Sequence, residues 1–247
     1  MINKVFTGIE FIDKDIGGLY QYGAYLICGE KDTGKTILAS RFLAEGLKKN
    51  EMCLFVTSEK PAVFISEIQN SLGFDFSLHI KTGVFSILEY ERNEESPASR
   101  LQHYIDEVRA FVNIKGVERV VIDFSTVQDM LDEQKTEENI REFVKALEGL
   151  HITTILVLDK SRSPIMFQVE RLLIKETVGT FRLEKKQREK NGKYFYNMEV
   201  EKIAGHYPPF PSWEFEISKK EGFQLIVKRE KLVYSDIKNI KKTINGG

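Results

Sequence analysis

Residues 29–36 read Gly-Glu-Lys-Asp-Thr-Gly-Lys-Thr, the G-x-x-x-x-G-K-[ST] spacing of a loop that cradles phosphates. An apolar run, AYLIC at 24–28, precedes it and a stretch with helical spacing follows, which is the context such a loop requires. Backbone N–H groups of Gly29, Glu30, Lys31, Asp32, Thr33, Gly34, Lys35 and Thr36, with Ile37 in the opening helical turn, are expected to wrap a polyphosphate, helped by the positive helix terminus. The Lys35 ammonium would reach the β- and γ-phosphates, and the Thr36 hydroxyl would ligate Mg²⁺. Two carboxylates elsewhere have matching chemistry. Asp123 closes the apolar run Arg119-Val120-Val121-Ile122 and could face the metal from the carboxyl end of a sheet; a strand-terminal Asp is as often a turn former. Glu59 leaves the run Phe55-Val56-Thr57-Ser58. It could orient or deprotonate the water attacking a γ-phosphate, or be a solvated charge ahead of a helix opened by Pro61.

Glu30 and Asp32 put acids on a loop meant for an anion. A carboxylate about 7 Å from a phosphate charge repels it by roughly 0.5 kcal/mol in water, and several-fold more at lower effective dielectric. Loop side chains point outward while their N–H groups point in, so both acids should sit near the aqueous limit, with Lys31 offsetting part of their field. They should weaken binding without forbidding it.

The elements that position these groups follow from the pattern of apolar runs. AYLIC (24–28), MCLFV (52–56), VVI (120–122) and TTILVL (153–158) are nearly continuous, as parallel strands covered on both faces are. Between them lie helical stripes: Ile37, Leu38, Phe42 and Leu47; Val63, Phe64, Ile68 and Leu72; Leu101, Tyr104, Ile105, Val108 and Val112; Ile140, Phe143, Val144 and Leu147. Alternating strands and helices imply an α/β fold, a mostly parallel sheet with helices on both faces. After about residue 176 the rhythm changes. Thr177–Leu183, Tyr194–Val200, 214–217 and Phe223–Val227 read as strands, with turns at Asn191-Gly192 and Glu221-Gly222. This half should be antiparallel and extend the edge of the same sheet. Residues 1–227 are therefore expected to form one nucleotide-binding domain, and 228–247 a basic tail, helical or mobile.

Composition sets limits on the partners. The 247 residues carry 42% hydrophobic and 30% charged side chains, enough to bury a core. The formal net charge of −1 calls for no polyanionic partner. The start, MINKVFTGIEF, lacks a signal-peptide core, and no run approaches membrane-spanning length, so no membrane insertion and a cytoplasmic location are expected. Cys28 and Cys53 lie in apolar runs and read as buried free thiols.

From about residue 5 to residue 227 the chain resembles the KaiC-like branch of the RecA superfamily, in its single-domain form. Thr7-Gly8-Ile9, Asp13 and Gly17-Gly18 look like that family's entry motif. Gly29, Gly34, Lys35 and Thr36 match its phosphate loop, and Asp123 its Walker B strand end. The family usually carries paired glutamates after the second strand; Glu59 matches the first and Lys60 replaces the second. In family assemblies a Lys-x-Arg-Gly strand from the neighbouring subunit approaches the γ-phosphate. Here it reads Lys202-Ile203-Ala204-Gly205, so the lysine is kept and the arginine is not.

The resemblance implies ATP and Mg²⁺ as ligands, a homo-oligomer, and catalytic roles for Lys35, Glu59 and Lys202. A trans arginine can be worth orders of magnitude in rate, and Ala204 cannot supply it, so slow turnover is expected, coupled to a conformational or assembly change in a protein partner. A second reading is a degenerate relative that keeps the fold as a protein- or peptide-binding module, for which an exposed sheet edge offers a route. A recombinase-like DNA-binding role fits poorly. The stretch after the Walker B strand holds Asp129, Asp132, Glu133, Glu137 and Glu138 against Lys135, and such a loop repels a phosphate backbone.

Overall fold

The computed structural model describes residues 3–90, 97–131, 134–188, 192–219 and 222–230. The chain enters through a short strand β1 (Lys4–Val5), helix α1 (Glu10–Ile16) and β2 (Leu19–Tyr20), with β1 and β2 paired antiparallel. Four strand–helix units follow: β3 (Ala24–Gly29) with α2 (Lys35–Lys48), β4 (Cys53–Thr57) with α3 (Pro61–Leu72) and α4 (Ser77–Lys81), β5 (Phe85–Glu89) with α5 (Pro97–Lys115), and β6 (Arg119–Asp123) with α6 (Ser125–Gln128) and α7 (Thr136–Glu148). A fifth, β7 (Thr153–Asp159) with α8 (Pro164–Glu176), leads into β8 (Gly179–Gln187), β9 (Tyr194–Ile203), β10 (Pro211–Ser218) and β11 (Gly222–Glu230).

Among the described residues these strands form one nine-stranded sheet in the order β11-β10-β9-β8-β3-β7-β6-β4-β5. Strands β8, β3, β7, β6, β4 and β5 run parallel to one another, while the pairings β8–β9, β9–β10 and β10–β11 are antiparallel. The expected α/β sheet with an antiparallel extension is therefore the observed one, and β8 is the hinge between its two halves.

Strand alternation sorts the core into two layers. Phe55, Val121, Ile155 and Val157 face one side, where they pack with Leu38 and Phe42 of α2 and Phe64 of α3. Leu54, Val120, Ile122 and Leu156 face the other, against Tyr104 and Val108 of α5, Phe143 of α7 and Leu173 of α8. Trp213 and Phe215 from the aromatic segment 210–215 join the α2 layer, and Trp213 Nε1 donates to Asp15 (2.7 Å). Both cysteines are buried free thiols, each pushed up to about 12 chiefly by burial.

Several expectations need correction. Phe85–Glu89 is a fifth parallel strand that the apolar runs did not mark; as the sheet edge it buries only Phe85 fully, so it has no continuous apolar signature. Strand β8 starts at Gly179, not Thr177, because the Thr177 N–H and hydroxyl both donate to the Leu173 carbonyl and close α8. It continues to Gln187, carrying Lys185 and Lys186 on the sheet. Val63 is 47% exposed, since α3 buries Phe64, Ile68 and Leu72, one turn apart. Asn191 and Glu221 of the two expected turns lie outside the described residues, as does most of the tail; Lys228–Glu230 belong to β11. Among the described residues no helix is long and apolar enough to cross a membrane.

Candidate nucleotide-binding site

The phosphate-loop segment joins the central strand β3 to α2, and its glycines are there for steric reasons. A Cβ at Gly29 would overlap the Leu183 carbonyl oxygen of β8. Gly34 has φ +87°, a left-handed conformation that other residues rarely adopt, and it lets the loop turn directly into α2. That helix begins with no side-chain cap and no acid in its first turn, so its first N–H groups and the positive end of its dipole remain available to an anion. Glu30, Lys31 and Asp32 are exposed and Thr33 is buried, its hydroxyl donating to the Glu30 carbonyl (2.8 Å). The acids thus point outward. Asp32 has φ +62°, which Asp tolerates better than most residues. Thr36 and Ile37 are half-buried in the opening turn.

Lys35 is buried, 4% exposed, at the base of the loop. Its ammonium donates to the Glu30 carbonyl (2.5 Å) and Thr33 Oγ1 (3.3 Å) and pairs with Asp159 Oδ1 (2.7 Å). Sheet register explains the last contact: Gly29 is opposite Asp159 on β7, and Asp123 is opposite Val157. Asp123 and Asp159 lie two residues beyond Val121 and Val157, on the α2 face of the sheet. Asp159 is not among the candidate residues that the motifs mark. Its signal was present, since TTILVLD ends in a carboxylate as RVVID does.

Asp123 accepts from the Ser125 N–H (3.0 Å). Burial foremost, with repulsion from Asp159, raises its pKa above the ordinary aspartate value, against the opposing pull of the Ser125 bonds and Lys35. Glu59 is also raised, by burial first and then by Glu67 and Asp123. It therefore lies in the field of Asp123, although its side chain is exposed. Lys60 supplies the N-cap of α3 ahead of Pro61, and among the described residues no ion pair joins it to Glu59. Ser58 and Ser125 hydroxyls meet at 3.0 Å, tying the ends of β4 and β6 together.

Lys35, Thr36, Asp123 and Glu59 thus converge on the carboxyl end of the sheet. Lys202 does not join them within this chain. Its ammonium donates to the carbonyls of Ile174 (3.0 Å), Lys175 (2.8 Å) and Thr177 (2.6 Å), capping the carboxyl end of α8. Ala204 N–H donates to the Val178 carbonyl (2.9 Å). The entry motif is a scaffold: the Asp13 carboxylate accepts from Thr7 N–H and hydroxyl and from Gly8 N–H, and Arg41 donates to the Gly8 carbonyl.

Beside the loop, a groove of about 510 Å³ is lined by Gly29–Thr33, Lys160, Arg182 and the β8–β9 hairpin, including Tyr194. Arg182 is held there by Glu201 (2.5 Å) and the buried Glu170 (2.7 Å). A larger groove, about 830 Å³, lies between α5 and α7 and is lined by mixed charges such as Arg109, Glu138 and Arg141, far in topology from the loop. The donor set fits a magnesium–polyphosphate pair: uncapped N–H groups and a buried ammonium for the anion, a hydroxyl and a carboxylate for a hard cation.

A family model described as the KaiC ATPase matches residues 5–230. A UPF0273 protein of Methanopyrus kandleri is 29% identical over 169 residues, covering 63% of this chain and 67% of the relative. Its counterpart in Pyrococcus horikoshii is 26% identical over 169 residues, with 64% and 68% covered. The circadian clock oscillator protein KaiC of a Picosynechococcus is 26% identical over 148 residues, 59% of this chain but 27% of that longer one. Among solved structures, a KaiC-like protein of Pyrococcus horikoshii superposes with a TM-score of 0.74 over 92% of this chain and all of the other, at 23% identity, which is a likeness of fold.

Proposed function

The chain belongs to the KaiC ATPase family, and on that premise we propose that it binds Mg-ATP at the Gly29–Ile37 segment and hydrolyses it slowly. The observation that carries this reading is the buried Lys35 at the base of an uncapped helix, with Asp123 on the same face of the sheet. The loop N–H groups hold the phosphates and Lys35 reaches their terminal oxygens. Thr36 and Asp123 hold Mg²⁺, which neutralises phosphate charge when bound. Glu59 orients the attacking water, a role favoured by its raised pKa in a field of carboxylates. Slow turnover follows from Lys60 and Ala204, which stand where the family carries a second acid and an arginine.

Residues 1–227 act as one nucleotide-binding unit, in a cytoplasmic homo-oligomer whose nucleotide sits near a subunit boundary. Lys202 would reach a neighbour's nucleotide only by giving up its three carbonyls on α8, so in the isolated chain it is a structural cap. The output is a change of conformation or assembly passed to a protein partner. Calorimetric titration with Mg-ATP, paired with light scattering, tests the reading. Binding at or below millimolar ATP, single-site saturation and an ATP-dependent mass increase are expected, with Glu59→Gln keeping affinity and losing turnover. A chain that binds no Mg-ATP at millimolar concentration overturns it.

A further inference from the structure

Every donor of the Lys35 ammonium is already engaged. An ammonium has three N–H bonds, and the Glu30 carbonyl, Thr33 Oγ1 and Asp159 Oδ1 take all three. An incoming phosphate must therefore replace one of these acceptors. The Glu30 carbonyl and the Thr33 hydroxyl are parts of the loop itself, bonded to each other at 2.8 Å, and moving either would unmake the cradle. Asp159 is different. Its side chain is 63% exposed, so its carboxylate returns to water at little cost. It also sits at the strand end beside Gly29, on the face towards α2, where the loop's anion would lie.

We propose that Asp159 is a built-in competitor of the nucleotide: its carboxylate occupies the anion position of Lys35 and is displaced by a terminal phosphate. This rests on the phosphate-binding reading above and adds to it a residue that sets affinity and release. Asp159 is a positioning residue, acting through Lys35. It holds the ammonium in place while the loop is empty, and it weakens bound nucleotide both by competing for Lys35 and by repelling the phosphates once displaced. The ligand it answers to is any polyphosphate long enough to reach Lys35, with or without a nucleoside.

Calorimetric titration of wild type, Asp159→Asn and Asp159→Ala with Mg-ATP and with magnesium-free inorganic tripolyphosphate tests the proposal, with stopped-flow release of a fluorescent ATP analogue. Both variants should bind both ligands about three- to fivefold tighter and release the analogue more slowly by a similar factor, the scale of one ion pair whose carboxylate is largely solvated. Asp159→Glu should stay near wild type, which a merely structural role would not predict. Equal affinity in both variants overturns the proposal while leaving the ATP-binding reading intact. Weaker Mg-ATP binding with unchanged tripolyphosphate binding overturns it too, and makes Asp159 a metal-shell residue instead. A silent wild type with binding in the variants supports the competitor, whereas silence in all three removes both readings.

Discussion

Two buried cations sit at opposite ends of the same sheet. Lys35 lies at the carboxyl end and Arg119 opens β6 at the amino end, 4% and 1% exposed. Each pairs with a carboxylate, yet their surroundings differ. The Arg119 guanidinium donates to the carbonyls of Phe6 (2.7 Å) and Phe42 (3.0 Å), pairs with Glu51, and stacks over the Phe42 ring at 4.6 Å. It ties the entry segment, α2 and the start of β4 into one body. Two of its acceptors are backbone carbonyls fixed by the fold, reached through Nη1, while Nη2 is buried without a hydrogen-bond partner, so the group serves the interior and offers no position to a ligand. Lys35 carries a flexible stem, and its carboxylate partner is largely solvated. A buried cation with irreplaceable partners holds a fold together, while one with an exchangeable partner can receive a ligand.

The largest effect that would break this contrast is on stability. Arg119→Ala leaves the Phe6 and Phe42 carbonyls and Glu51 without their donor, and should lower unfolding free energy by about 3 kcal/mol in urea titrations. Loosening there should open Cys53, the strand partner of Arg119, to a thiol reagent at pH 8 before Cys28, even though loss of the cation by itself pushes the thiol further up; in wild type both thiols, held near 12, should be inert. If the variant unfolds with the wild-type midpoint, Arg119 is not a structural clasp.

Lys35→Ala should do the reverse. The Glu30 carbonyl keeps its Thr33 partner, so the urea midpoint should barely move, while Mg-ATP affinity falls roughly thirtyfold or more in calorimetry. A variant that binds as before would make Lys35 a structural cation like Arg119.

Asp32→Gly should tighten Mg-ATP binding by about twofold, because the carboxylate it removes is exposed and acts through water. No change would mean the loop acids do not act on the phosphates at all.

The smallest effect concerns pH. Asp123 is raised by burial in the folded chain, so its contribution to stability is fully present below the ordinary aspartate value and is lost as pH rises through the folded one. Asp123→Asn should therefore melt higher than wild type at pH 7, and scanning calorimetry should find the gap closing as pH falls below about 4. A gap that persists in acid would place the strain in packing instead of charge.

Much of the site was legible because its signals are local. Gly29, Gly34, Lys35 and Thr36 are spaced by the loop itself, and Asp123 and Glu59 follow apolar runs that could only be strands. The edge strand Phe85–Glu89 escaped because half of it faces solvent and its pattern is weak. Asp159 escapes for another reason: its run reads as a strand, but nothing in the sequence places that strand beside β3.

By itself, then, the sequence determined the phosphate loop, the alternation of strands and helices, and the change of rhythm after residue 176, since each is written in neighbouring residues. The tertiary structure alone decided that β3 lies between β7 and β8. From that order follow the pairing of Lys35 with Asp159, the crowding that demands glycine at 29, and the capping of α8 by Lys202. Strand order joins residues far apart in the chain, and it is set by how the two helical layers cover the sheet, which no local spacing records.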